Sequence, residues 1–136
     1  MIKVVIDTNV LVSAALTPNG NPAKILDLIC SSTTLQVCYS TDILAEYRDV
    51  LSRPHLKITA EKQLRVIGAI INTGMLVMPT VSTDVFPDED DRIFYDAALE
   101  NNAKLITGNI RHYPSEDFIM TPIQFLDMLN SDEPVL

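Results

Sequence analysis

The stretch "KVVIDTNVL", residues 3–11, decides how the rest of the chain is read. Val4, Val5 and Ile6 are branched apolar residues that suit a buried strand, and Asp7 stands where that strand must end. A carboxylate at the lip of a core either caps the helix that follows, by accepting its free backbone N–H groups, or belongs to a site. Both readings stay open on this stretch alone, and other carboxylates must decide between them.

The flanking sequence alternates between two periodicities. Residues 2–6 read as strand and 9–16 as a short helix, interrupted by the turn formers of "TPNGNP". Pro22 opens a helix over 22–31, in which Ile25, Leu28 and Ile29 recur at helical spacing. "LQVCY", 35–39, is the next strand. Ser40 or Thr41 caps a helix that runs to Pro54, and Thr59 caps another over 60–73 that Gly74 ends. Strand 75–78, a polar loop over 79–90, a helix over 91–102, strands 104–107 and 118–120 and a helix over 121–129 complete the pattern. Strands of near-continuous apolar residues alternating with helices predict an α/β fold: a central parallel sheet of four to five strands with helices on both faces. No repeat, low-complexity segment or linker divides the chain, so one domain over 1–136 is expected, with a core over about 2–129 and a short tail over 130–136.

Composition narrows the function. A chain of 136 residues that is 47% hydrophobic can bury one core. It has no twenty-residue apolar run and no secretory leader pattern, so a cytoplasmic protein with no membrane span is expected. Cys30 and Cys38 match neither zinc-site nor Cys-x-x-Cys spacing and read as small buried apolar residues. Ten Lys and Arg against eighteen Asp and Glu, net −8, exclude a protein that holds nucleic acid by overall positive charge.

Within parallel sheets, ligands bind beyond the carboxyl ends of the strands, which is where Asp7 is expected. Glu46 lies three residues past Ile43 and four before Val50, within the apolar stripe of its helix. A glutamate there must be neutralised, paired or bound to a cation, because burying a lone carboxylate costs several kcal/mol; pairing with Arg48 or Arg53, or escape to solvent from the margin of the stripe, is the alternative. "PDEDD", 87–91, places four carboxylates at a helix start, more than capping requires. Asp91 shares a face with Phe94, Tyr95 and Ala98 and points inward, Asp88 and Glu89 face water, Asp90 fits either side, and Asp96 turns away to the surface. In "KLITGNIRHYP", 104–114, a strand ends at Thr107 and Gly108, and Asn109 offers a neutral oxygen at the same sheet edge. Carboxylates 7, 46 and 91 would repel on meeting unless a cation balanced them. Oxygen donors without a histidine cluster or thiolates favour Mg²⁺ or Mn²⁺.

"VVIDTNVLVSA", "ILAEYRDVLSRP", "PDEDDRIFYDAAL" and "LITGNIRHYP" occur in the order and spacing of PIN-domain ribonucleases, and the chain resembles the bacterial PIN proteins assigned as toxins of toxin–antitoxin pairs. The resemblance implies a metal-dependent endoribonuclease with Asp7, Glu46 and Asp91 as its acidic cluster. Asn109 stands where the family usually has a fourth carboxylate. RNA is then the substrate, a small antitoxin and a second copy of the chain are the implied partners, and Asn9, Asp90 and Thr107 support the site. Arg48, Arg53 and Arg111, with His55, Lys57 and His112, are the candidates for flanking phosphates. A non-catalytic PIN module is the alternative that Asn109 raises. A phosphatase with Asp7 as nucleophile is disfavoured by Asn9, which stands where a general-acid aspartate would be expected.

Overall fold

The computed structural model describes residues 1–83, 86 and 88–131. Five parallel strands form one sheet: β1 (Ile2–Ile6), β2 (Leu35–Tyr39), β3 (Met75–Leu76), β4 (Lys104–Ile106) and β5 (Ile119–Met120). The order across the sheet is β3-β2-β1-β4-β5. The chain therefore winds from β1 towards β3, then crosses to the other side of β1 for β4 and β5. That reversal puts the topological switch point between β1 and β4, where open α/β sheets bind ligands at the carboxyl ends of their strands. Val4 is in register with Lys104 and Ile6 with Ile106, so β1 and β4 end side by side.

The described residues form six helices: α1 (Thr8–Leu16), α2 (Asn21–Ser31), α3 (Thr41–Leu51), α4 (Ala60–Thr73), α5 (Arg92–Asn101) and α6 (Pro122–Ser131). α5 lies against β1, β2 and β4. α2 and α4 pack on β2 and gather with α1 into a second group, while α3 touches α1, α4 and α5. The expected α/β architecture is what forms. Its core holds Val4, Val5, Ile6, Val37, Leu105 and Ile106 from the central strands and Tyr47, Phe94 and Phe125 from the helices, all buried. Each such large side chain contributes on the order of 1.5–3 kcal/mol through removal from water.

Local sequence explains most boundaries. The Ser40 hydroxyl accepts the Ile43 N–H at the start of α3, and Thr59 accepts the Lys62 N–H at the start of α4. Gly74 ends α4 because a Cβ there would fall on the Ile70 carbonyl oxygen and the Tyr39 ring. Strand 75–78 is shorter than its apolar run suggests. Val77 still donates to the Tyr39 carbonyl, but the chain then leaves the sheet edge before Pro79, which has no N–H to give a ladder. The helix expected over 91–102 forms as α5 from Arg92 to Asn101, preceded by a turn of 3-10 helix over Glu89–Asp91. Cys38 is buried as expected. Cys30 is exposed, because it lies on the outward face of α2, so the expectation of two buried cysteines fails for it. Of the expected loop 79–90, residues 84, 85 and 87 lie outside the described residues, as do residues 132–136 of the tail. Among the described residues no helix is long and apolar enough to cross a membrane.

Candidate active site

Asp7 and Asp91 both occupy helix N-cap positions, and neither side chain makes a cap hydrogen bond among the described residues. The capping explanation for Asp7 fails on that observation. Its buried carboxylate turns instead to β4: the Thr107 hydroxyl donates to Oδ2 at 2.8 Å and the Tyr113 hydroxyl donates to the same oxygen at 2.9 Å. Thr107 Oγ1 in turn accepts the Asn109 N–H at 3.0 Å, and Asn9 Oδ1 accepts the Gly108 N–H at 3.0 Å. The ends of β1 and β4 are thereby stitched together at the switch point.

Asp91 approaches from the start of α5. Its Oδ2 is buried without a hydrogen-bond partner among the described residues, and His112 Nδ1 lies 3.6 Å from it. Burial pushes the Asp91 carboxyl up to about 6, with the charges of Asp7 and Asp88 adding to the shift and His112 opposing it. Glu46 is half-buried on α3, and its carboxyl is raised by burial first, then by Asp90 and Asp49, with Arg53 opposing and Asp7 adding a smaller rise. Asp7 therefore acts on both Glu46 and Asp91 through its charge. Arg53, the alternative partner of Glu46, pairs with Asp49 at 3.2 Å. Among the described residues no three His, Cys, Asp or Glu side chains stand close enough to grip one ion between them.

The remaining candidates divide by position. Asp90 is exposed on the 3-10 turn beside Asp91, while Asn109 and Arg111 lie in and beside the turn Ile110–His112 after β4. Arg48 lines a cleft between α3 and α4 with Leu51 and Ile67, and Arg53, His55 and Lys57 follow beyond the end of α3. Asp96 is a correction. Expected at the surface, it is 5% exposed, with Oδ2 accepting the Ser82 N–H at 3.2 Å and Oδ1 unpartnered among the described residues. The segment 77–83 crosses that side of α5, and helical periodicity carries no signal of a covering loop. Tyr113 is a site residue that sequence reasoning passes over, because its tie to Asp7 joins positions 106 apart.

The family model described as "PIN domain" matches residues 3–111. The uncharacterized protein MJ1680 of Methanocaldococcus jannaschii is 38% identical over 111 residues, covering 79% of this chain and 71% of that protein. A solved structure of VapBC2 from Rickettsia felis, bound to a DNA fragment from their promoter, superposes with a TM-score of 0.56 at 16% identity, covering 81% of this chain and 90% of the other, and is a likeness of fold. On the family match across most of its length, the chain belongs to the PIN-domain family.

Proposed function

We propose that this protein is a metal-dependent endoribonuclease that hydrolyses RNA phosphodiester bonds, and that it acts as the toxin of a toxin–antitoxin pair. One observation carries the chemical part: two aspartates at helix starts make no side-chain cap hydrogen bond among the described residues, and one of them, Asp7, is tied at the switch point to Thr107 and Tyr113 while Asp91 Oδ2 is buried without a partner there. The donor set fits a hard divalent ion. Asp91 Oδ2 is a buried acceptor with no donor among the described residues, and the carboxylates repel one another in the absence of a cation. Among the described residues no three acidic or histidine groups close on one point, so an ion here would keep several of its waters and reach part of this acidic set through them.

Asp7, Glu46 and Asp91 would hold the ion, which when bound lowers the pKa of water and offsets charge on the reacting phosphate. Thr107 and Tyr113 hold the Asp7 carboxylate through its Oδ2. Asn9 holds the turn at Gly108, and Arg111 stands beside the site to meet a neighbouring phosphate. A bound cation also answers the net charge of −8, since it reverses the field that RNA meets locally. The toxin assignment, an antitoxin partner and pairing of two copies rest on the resemblance in sequence, and the VapBC2 likeness in fold is consistent with them.

The test is incubation of purified protein with end-labelled single-stranded RNA in Mn²⁺, Mg²⁺ or EDTA. Internal cleavage is expected with either ion and none with EDTA. Asp7→Asn should lose more than the roughly 10–100-fold typical of a removed supporting partner. Asp27→Asn, an exposed change on α2, should cleave normally. A folded wild-type protein that leaves RNA intact in both ions would instead support the non-catalytic module that Asn109 suggests.

A further inference from the structure

On the β4 side of the switch point the rim of the sheet opens into a cleft of about 350 Å³. Asn9, Val10 and Ser13 line it from α1, Gly108 and Asn109 from the turn after β4, and Pro22 and Pro122 from the starts of α2 and α6. None of these side chains is charged, in a chain with eighteen Asp and Glu. Asn109 ties the cleft to the acidic site: its N–H donates to Thr107 Oγ1 at 3.0 Å, and that hydroxyl donates to Asp7 Oδ2 at 2.8 Å. We propose that this cleft holds the nucleotide adjoining the cut phosphate, so that the RNA strand leaves the site over α1 and the turn after β4 and not over α3. This inference rests on the ribonuclease reading above.

The two ways out of the site differ in charge. On the β2 side α3 carries Asp42, Glu46 and Asp49 against Arg48, and the turn before α5 carries Glu89, Asp90 and Asp91. A strand laid that way brings its phosphates against like charge, which opposes binding. On the β4 side the lining is neutral, and Arg111 stands exposed just beyond Asn109. An acid at position 109 would put a negative charge on this path, whereas the Asn109 amide leaves it neutral. The lining also suits a nucleoside. Asn9 Oδ1 is taken by the Gly108 N–H at 3.0 Å, which leaves the N–H₂ group of this exposed side chain to donate. The exposed Ser13 hydroxyl both donates and accepts, and exposed Gly108, without a Cβ, lets a ribose or phosphate approach its backbone. The two proline rings give apolar surface to a sugar or base. The volume lies within the roughly 300–1,000 Å³ of small-molecule sites.

The experiment measures binding of a short fluorescein-labelled single-stranded RNA of mixed sequence to the full chain, by anisotropy in EDTA over a series of salt concentrations, with cleavage kinetics of the same RNA in Mn²⁺ alongside. Ser13→Lys and Asp42→Asn each raise the net charge by one unit, the first in the cleft and the second at the exposed start of α3. Ser13→Lys should bind about threefold to tenfold more tightly than wild type, and its log K should fall more steeply with log salt by about 0.7, the increment for one added phosphate contact on a single strand. Ser13→Asp should bind more weakly by a similar factor, and Asp42→Asn should stay within about twofold of wild type, since an exposed charge off the path is screened. The same ranking is expected in KM for cleavage, with kcat little changed. Tighter binding cannot come from misfolding, so Ser13→Lys guards the reading of Ser13→Asp. Ser13→Lys with wild-type affinity, KM and salt slope, or Asp42→Asn that tightens binding as much as Ser13→Lys does, overturns the strand path and leaves the ribonuclease reading standing. Wild type that neither binds nor cleaves the RNA overturns both.

Discussion

Two hydroxyls converge on Asp7 Oδ2, and they set the cost of altering the site. Tyr113→Phe removes one donor to a buried carboxylate, worth on the order of 1.5–3 kcal/mol for a charged acceptor. Urea unfolding should show a loss of that size, with the overall fold retained. Asp91 makes the opposite kind of contribution. Its folded pKa, about 6, lies above the ordinary carboxyl value, so between the two the folded state binds more protons than the unfolded state. In EDTA the melting temperature should therefore rise as pH falls from 7 to 5, and Asp91→Asn should flatten that rise. Asp7, Glu46 and Asp91 were legible in the sequence because each breaks an apolar pattern at a strand end or on an inward face. Tyr113 was not, since a tyrosine in a polar turn has no local feature that names a partner so distant in the chain.

Boundary residues govern the elements. Gly68 and Gly74 both belong to the α4 region, yet alanine should act oppositely at the two. A Cβ at Gly68 meets only the Asn72 side-chain nitrogen at 3.9 Å, so Gly68→Ala should stabilise by about 0.5–1 kcal/mol through helix propensity. At Gly74 the Cβ would strike backbone and an aromatic ring, so Gly74→Ala should cost roughly 1–3 kcal/mol. Paired thermal melts check both signs. Helices with caps and apolar stripes, α3 and α4 above all, were readable to within a residue or two at each end. The short edge strands were not: β3 and β5 carry two residues each, and what ends them is where the chain departs from the sheet. Asp96 fails for a related reason. Its burial is created by the crossing segment 77–83, a tertiary fact that a period of 3.6 residues cannot carry.

For the molecule as a whole, strand order is what turns scattered residues into a site. Placing β4 next to β1 joins Thr107 to Asp7 across one hundred positions and brings the 109–113 turn against the start of α5. Alternation of strands and helices predicted the sheet, but the position of its reversal depends on which strands pair, which composition and periodicity leave open. On the proposed function, an acidic chain of net −8 would need a cation at that reversal to meet a polyanion. Calorimetric titration of Mn²⁺ into the metal-free protein tests that need most directly. Saturable binding by wild type and by Asp27→Asn, weakened at least tenfold in each of Asp7→Asn, Glu46→Gln and Asp91→Asn, is the predicted result. Equal binding by wild type and all three site variants would contradict it.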